Sequence, residues 1–293
     1  MPGEVVHPLL VALALSLLGT TFHRRLPPRI AARFIAALLV IVMIAAVPTI
    51  ALLTLATLAH LPPGHPLQWC TVPLHHHDVQ AWMGPLAVGL AALAVWRVRR
   101  VLAEHRRLIC DEGGHHVHVT ADAEPYAVTM PGAAGLVVLS SGLVSVLDPV
   151  ETRVVVAHEQ AHARHRHDRY LLLGELVAAV LPPARRLTSR LRFSVERWAD
   201  DEAAAACGDR RLVAHTIGKV ALIAAPPAPI VLAASFVGLG EVERVRMLLE
   251  PEVRRVQVPY RAMLTTSGLL VAAFTIYQLH HLAPLLSFLC DHH

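Results

Sequence analysis

From Phe34 to Ala59 the chain carries no charged residue. A run of that length and apolarity can cross a bilayer, and an uncharged helix this long has few other stable surroundings. Pro48 lies inside it and removes one backbone donor, which predicts a kink there. Val5–Phe22, Val79–Trp96 and Ala262 to about Leu279 share the same character. Trp82 and Trp96 stand near the two ends of the third stretch, where interfacial anchors sit. Composition agrees: 55% of the 293 residues are hydrophobic and 16% are charged, the balance of a polytopic membrane protein with one moderate soluble part. The basic surplus is +4. It is read as loop charge that orients spans, with no stripe interleaved with aromatics, so no direct nucleic-acid binding is expected. Lys219 is the only lysine, a bias of GC-rich, bacterial coding.

Arginines in short loops set orientation. Arg24, Arg25, Arg29 and Arg33 mark one loop as cytoplasmic, and His60–Asp78, without Lys or Arg, is external. Arg97, Arg99, Arg100, Arg106 and Arg107 place the chain inside again, as do Arg254, Arg255 and Arg261 before the last span. The predicted topology is a multi-pass protein of a bacterial cell membrane, with four spans and both termini external. Residues 1–100 form a membrane region with three spans, 101–261 a cytoplasmic block, and 262–293 the fourth span and a short external tail. The fold class is mainly α, with an α+β cytoplasmic domain. Within that block, Tyr126–Thr129 and Leu136–Leu139 read as short strands joined through a Pro131-Gly132 turn. Tyr170–Leu181 is apolar but too short to span, and Leu222–Leu239 is broken by Pro226, Pro227 and Pro229. This topology puts Cys70 and Cys290 together outside, where a disulfide is compatible with the compartment, and Cys110 and Cys207 inside. No C-x-x-C pair suggests a cysteine metal site.

The chemistry concentrates in residues 154–168, VVVAHEQAHARHRHD. The chain holds 20 histidines, and at that frequency H-E-x-x-H arises by chance in roughly one such sequence in twenty. The motif therefore needs support from its surroundings. Asp148-Pro149-Val150-Glu151 is a strong helix start, with Asp148 as cap, Pro149 at the first helical position and Glu151 placed for a capping box. A helix from Pro149 through roughly His167 puts His158 and His162 one turn apart on one face, where both imidazoles reach the same ion. Glu159, beside the first, is placed to take a proton from the attacking water rather than to bind the metal.

Two histidines do not complete a zinc site, which needs a third protein ligand and an open position. Ser194–Cys207 reads as a helix stopped by Gly208. On it Glu196 and Asp200 are four apart, suiting a ligating carboxylate with a second acid behind it. Asp200 would then accept a hydrogen bond from the free ring nitrogen of a ligating histidine. Asp201 and Glu202 are alternatives that point elsewhere on the helix. Alone, the acidic pair would be a solvated face; joined to H-E-x-x-H it becomes the rest of a metal centre holding one Zn2+ per chain. His165 and His167, alternating with Arg164 and Arg166, are read as a basic helix end near the inner leaflet. The external cluster His75–His77, with His60 and His65, is read as a polar loop.

His158-Glu159-Gln160-Ala161-His162 followed by Glu196-Arg197-Trp198-Ala199-Asp200 resembles the integral-membrane gluzincin metalloproteases, which include HtpX-type proteases and BlaR/MecR-type antirepressor peptidases. Val137–His162 is similar to their edge strand, short helix and active-site helix. The resemblance implies a zincin-like catalytic core, zinc bound by His158, His162 and Glu196, and Glu159 as general base. It also implies that Val137–Leu139 lies beside a substrate added as a strand. HtpX-type enzymes carry a later histidine-proline and arginine motif that stabilises the oxyanion. Ser235–Leu248 offers Arg244 and Arg246 without a histidine, and His215 is a further candidate. No S-x-x-K is present, so beta-lactam sensing by a penicillin-binding domain is not expected within these residues.

The function expected is a membrane-bound zinc endopeptidase acting on a cytoplasmic or membrane-face protein. Two roles compete, cleavage of a transcriptional repressor in a signalling pathway and quality control of membrane proteins. From other classes, a histidine-based metal sensor or transporter is disfavoured because the spans hold almost no acids or histidines in their interiors. A catalytically inactive scaffold is disfavoured because all four expected catalytic positions are occupied.

Overall fold

The computed structural model describes residues 10–14, 21, 23–58, 83–109, 117–132, 135–224, 234–250 and scattered helical positions between 261 and 276. The helices are α1 (Pro28–Leu58), α2 (Met83–Leu108), α3 (Ser141–Val146), α4 (Pro149–His165), α5 (His167–Val180), α6 (Arg185–Cys207), α7 (Arg210–Ala224) and α8 (Ala234–Leu249). Among the described residues three strands, β1 (Val117–Thr120), β2 (Ala127–Thr129) and β3 (Val137–Ser140), form one small sheet. The chain is therefore mostly helical with a small sheet, in keeping with a mainly α protein carrying an α+β element.

α1 contains the second predicted span and begins earlier, at Pro28, because the Pro27 carbonyl accepts the first helical hydrogen bond and proline suits the first helical position. Its Pro28–Ala51 segment is the one helix among the described residues long and apolar enough to cross a membrane. Pro48 lies inside it. The third stretch is helical from Met83, in a helix that continues past Trp96 to Leu108. Most of the first stretch, half of the fourth, the His60–Asp78 loop, Trp82, Cys70, Cys110 and Cys290 lie outside the described residues; Cys207 is a free thiol.

One face of α1 is buried. Phe34, Ile35, Leu38, Leu39 and Val42 share a core with Val177 of α5 and Leu187, Leu191, Val195 and Trp198 of α6. Arg29 and Arg33, read above as loop charge, stand within α1 over the Trp198 ring, each 5.7 Å from its centroid. Arg24 pairs with Glu243 of α8 at 3.3 Å. The Tyr170–Leu181 stretch thus becomes a helix that packs on protein along one side. A second core, with Val154, Ala203, Val213 and Leu248, joins α4, α6, α7 and α8. Of the apolar Leu222–Leu239 stretch, residues 222–224 end α7 and 234–239 begin α8, and residues 225–233 lie outside the described residues.

The sheet order is β1-β3-β2. β3 is central: it pairs parallel with β1 (Val117↔Val137) and antiparallel with β2 (Thr129↔Val137). This corrects the expectation that Val137–Leu139 is the edge beside the substrate. β1 was not legible as a strand, and its pairing covers the far side of β3, so β1 and β2 are the edges, with β2 the one against Glu159. Met130 N–H donates to the Leu136 carbonyl, and Ser140 N–H donates to Tyr126 O. By strand alternation the main-chain groups of Ala127 and Thr129 point away from β3.

The hairpin is tied to the start of α3 by one side chain. Ser140 Oγ, fully buried, accepts from the Tyr126 and Leu143 N–H groups at 2.9 and 3.1 Å. Ser140→Ala leaves both donors without a partner, at a cost of about 1–3 kcal/mol. A lowered midpoint in thermal unfolding of purified Ser140→Ala is the expected result.

Candidate metal centre and active site

α4 starts as predicted. Asp148 accepts from the Val150 and Glu151 N–H groups, both at 2.7 Å, and Glu151 Oε2 accepts from the Asp148 N–H at 2.9 Å. Lys219 of α7, missed in the sequence, pairs with the Glu151 carboxylate at 2.6 Å. This hydrogen bond, joined by that from the Asp148 N–H, holds the Glu151 pKa below its ordinary value. α4 ends two residues before the predicted limit, because Arg166 adopts the left-handed conformation (φ 52°, ψ 48°).

On α4, His158 Nε2 and His162 Nε2 lie 3.2 Å apart. Glu196 of α6 completes a triangle, 3.5 Å from His158 Nε2 and 3.7 Å from His162 Nε2. All three ligand atoms fall within 4.8 Å of one another, the one such group of three among the described residues. A tetrahedral ion with bonds of about 2.0–2.1 Å needs ligand atoms roughly 3.3 Å apart. The donor set and spacing therefore fit a zinc-like ion with one position left over.

Asp200, one turn beyond Glu196, is 1% exposed. Its Oδ1 stands 3.0 Å from His158 Nδ1, an ion-pair contact whose N–H direction is off line. Burial alone would lower the His158 pKa; Asp200 and Glu196 outweigh it and push it up to about 10. Burial would raise the Asp200 pKa, and the Arg244 guanidinium overrides this and holds it down. Burial lowers the pKa of His162. Asp201 and Glu202 do point elsewhere: Asp201 pairs with Arg210, and Glu202 accepts from Trp198 Nε1.

The two oxyanion candidates stand at different distances from the centre. Arg244 of α8 donates to Asp200 through Nε and Nη2 at 2.8 and 2.7 Å, and its Nη1 lies 3.1 Å from Glu196. With all three nitrogens on the two carboxylates, it clamps Glu196 and Asp200 together. His215 is largely exposed and lies 3.7 Å from Glu151, at the opposite end of α4 from the centre, about 10 Å along the helix from His158.

The reading of His167 is also corrected. Rather than a basic group at a membrane face, it is fully buried, and its Nδ1 sits 3.2 Å from His162 Nδ1. Burial pushes its pKa down to about 3. His165 stacks on Trp198 with ring centroids 4.5 Å apart and contacts Glu202 at 3.1 Å.

Glu159 faces a cleft of 720 Å³ lined by β2, α4, α5 and the end of α2. A second cavity of 300 Å³ opens on the other side of the same three residues, His158, Glu159 and Glu196, with Val154, Val213 and Ile217 in its wall. Thr129 on β2 was not flagged by the sequence. Its hydroxyl lies 2.7 Å from Glu159 Oε2 and 2.8 Å from the Glu159 carbonyl. Only its position in a short strand ahead of the motif could have drawn attention to it.

Residues 97–185 match the model of peptidase family M48. The match covers less than a third of the chain, takes in the sheet and all of α4, and stops before Glu196 and Asp200. It indicates a metallopeptidase. No curated protein and no solved structure matches the chain.

Removing Arg244 would strand two carboxylates among buried groups, and breaking a buried pair on one side costs about 3–5 kcal/mol. Arg244→Met is therefore expected to lower stability by that order, with Arg244→Lys intermediate, in denaturant unfolding monitored by circular dichroism. Unfolding of Arg244→Met at the wild-type midpoint would show that the clamp contributes nothing.

Proposed function

We propose that the protein is a membrane-bound zinc metalloendopeptidase that hydrolyses peptide bonds of a protein at the cytoplasmic face of the membrane. The observation that carries this reading is the convergence of His158, His162 and Glu196 within 4.8 Å, beside Glu159 on the wall of an open cleft. The M48 match over the helix bearing both histidines supports it, and α1 supports attachment to a bilayer. That Glu159 lies on the wall of the same cleft as the three ligands favours a catalytic ion over a transport pathway. The resemblance of His158–His162 and Glu196–Asp200 to the BlaR/MecR-type antirepressor peptidases supports a transcriptional repressor as substrate, and that to the HtpX-type proteases supports quality control of membrane proteins as the alternative.

His158, His162 and Glu196 would hold the ion, with Asp200 positioning His158. When bound, zinc supplies Lewis acidity to the scissile carbonyl and to the attacking water. Glu159 takes the proton of that water and delivers it to the leaving amine. Thr129 donates its one hydroxyl proton to Glu159 Oε2 or to the Glu159 carbonyl. This anchors the side chain and leaves Oε1 to take the proton of the water and pass it on. The free edge of β2 offers the main chain of Ala127 and Thr129 to an extended substrate. The valine- and isoleucine-lined cavity takes an apolar side chain next to the cleaved bond.

Glu159→Gln preserves shape and ligands but removes the base. The purified variant should keep one zinc per chain while cleavage of a peptide library, read by mass spectrometry, falls about 10²–10⁴-fold. Undiminished cleavage by that variant would remove Glu159 from the mechanism.

A further inference from the structure

His162 and His167 are five residues apart, which on an unbroken helix turns the second side chain about 140° from the first. The left-handed Arg166 ends α4 and lets α5 restart at His167 in a new direction. The rings of His165, Tyr170 and Trp198 pack around His167. The break and this packing bring its Nδ1 to 3.2 Å from Nδ1 of His162.

Two imidazole Nδ1 atoms at that distance bond only if one carries hydrogen and the other offers a lone pair. Nε2 of His162 faces His158 and Glu196, so it must keep its own lone pair for an ion, and Nδ1 carries the hydrogen. His167 is then the acceptor, with its hydrogen on Nε2. That Nε2 is buried without a hydrogen-bond partner among the described residues. The ring is thus held with one donor unsatisfied while its other nitrogen meets His162.

We propose that His167 is a positioning residue of the metal centre: its Nδ1 accepts the His162 Nδ1–H, selecting the tautomer and ring orientation that present His162 Nε2 to the ion. The inference rests on the zinc reading above. It gives His162 from α5 what Asp200 gives His158 from α6.

The test uses the full chain in detergent, in the Glu159→Gln background so that self-cleavage does not interfere. Zinc affinity is measured by competition with a chromophoric chelator, and thermal unfolding is recorded without metal. His167→Phe fills the volume without an acceptor, and zinc affinity should fall about 10–100-fold, as for other residues that orient ligands. His167→Asn places an amide oxygen near the Nδ1 position and should bind within a few-fold of the parent. His167→Gln reaches past that position and should bind as weakly as His167→Phe. If His167→Phe does not fold, the contrast between Asn and Gln decides. Parent-like affinity in His167→Gln, or equal losses in His167→Asn and His167→Gln, would overturn the proposal. A parent that binds no zinc, or binds it undiminished after His162→Ala, would overturn the zinc reading itself and the proposal with it.

Discussion

A buried line of contacts, Arg244–Asp200–His158, holds the site together. Taking a carboxylate such as Asp200 out of water costs several kcal/mol, and the cost is offset only by a well-placed partner. Arg244 supplies two hydrogen bonds to Asp200 and a contact to Glu196. The line therefore ties α8 to α6 and, through His158, ties α6 to α4. Because Glu196 and Asp200 are one turn apart, fixing Asp200 also fixes the carboxylate that faces both imidazoles. Pulling α8 away would expose a cluster of unbalanced acids, so the clamp and the metal centre form one unit.

Around that unit the two faces of the site differ in kind. On one, the edge strand β2 and Glu159 border an open cleft, which suits an extended chain bound through its backbone. On the other, aliphatic side chains from α4 and α7 line a smaller cavity, with Glu241 and Arg244 also in its wall. Burial raises the Glu241 pKa. α1 contributes from outside, since Arg29 and Arg33 cover Trp198, and Trp198 packs on the buried His167. The apolar helix is thus in physical contact with the shell of the site.

What was legible in the sequence follows the range of the interactions. The α4 cap, the His158/His162 spacing and the Glu196/Asp200 pair are local patterns of one or two turns, and each stands in the structure where its spacing puts it. His167 was misread because its contact depends on a left-handed arginine. A non-glycine residue in that conformation costs about 1–2 kcal/mol, and no sequence signal announced it. The sheet edge was misplaced because β1, not legible as a strand, pairs with the side of β3 that β2 leaves open. Arg244 was noticed as a charge near the right place, but its role is set by a contact 44 residues away in the chain. The extent of the apolar face of α1 that turns to protein was hidden for a related reason. Length and hydropathy report apolarity, not what covers it.

The central claim is that His158, His162 and Glu196 bind one ion. X-ray absorption at the zinc edge, on the zinc-loaded Glu159→Gln chain, tests it most directly. The account predicts a low-coordinate shell of nitrogen and oxygen at about 2.0–2.2 Å with the scattering of two imidazoles, reduced to one in His162→Ala. A shell containing sulfur at about 2.3 Å, or an imidazole count unchanged by His162→Ala, would contradict it.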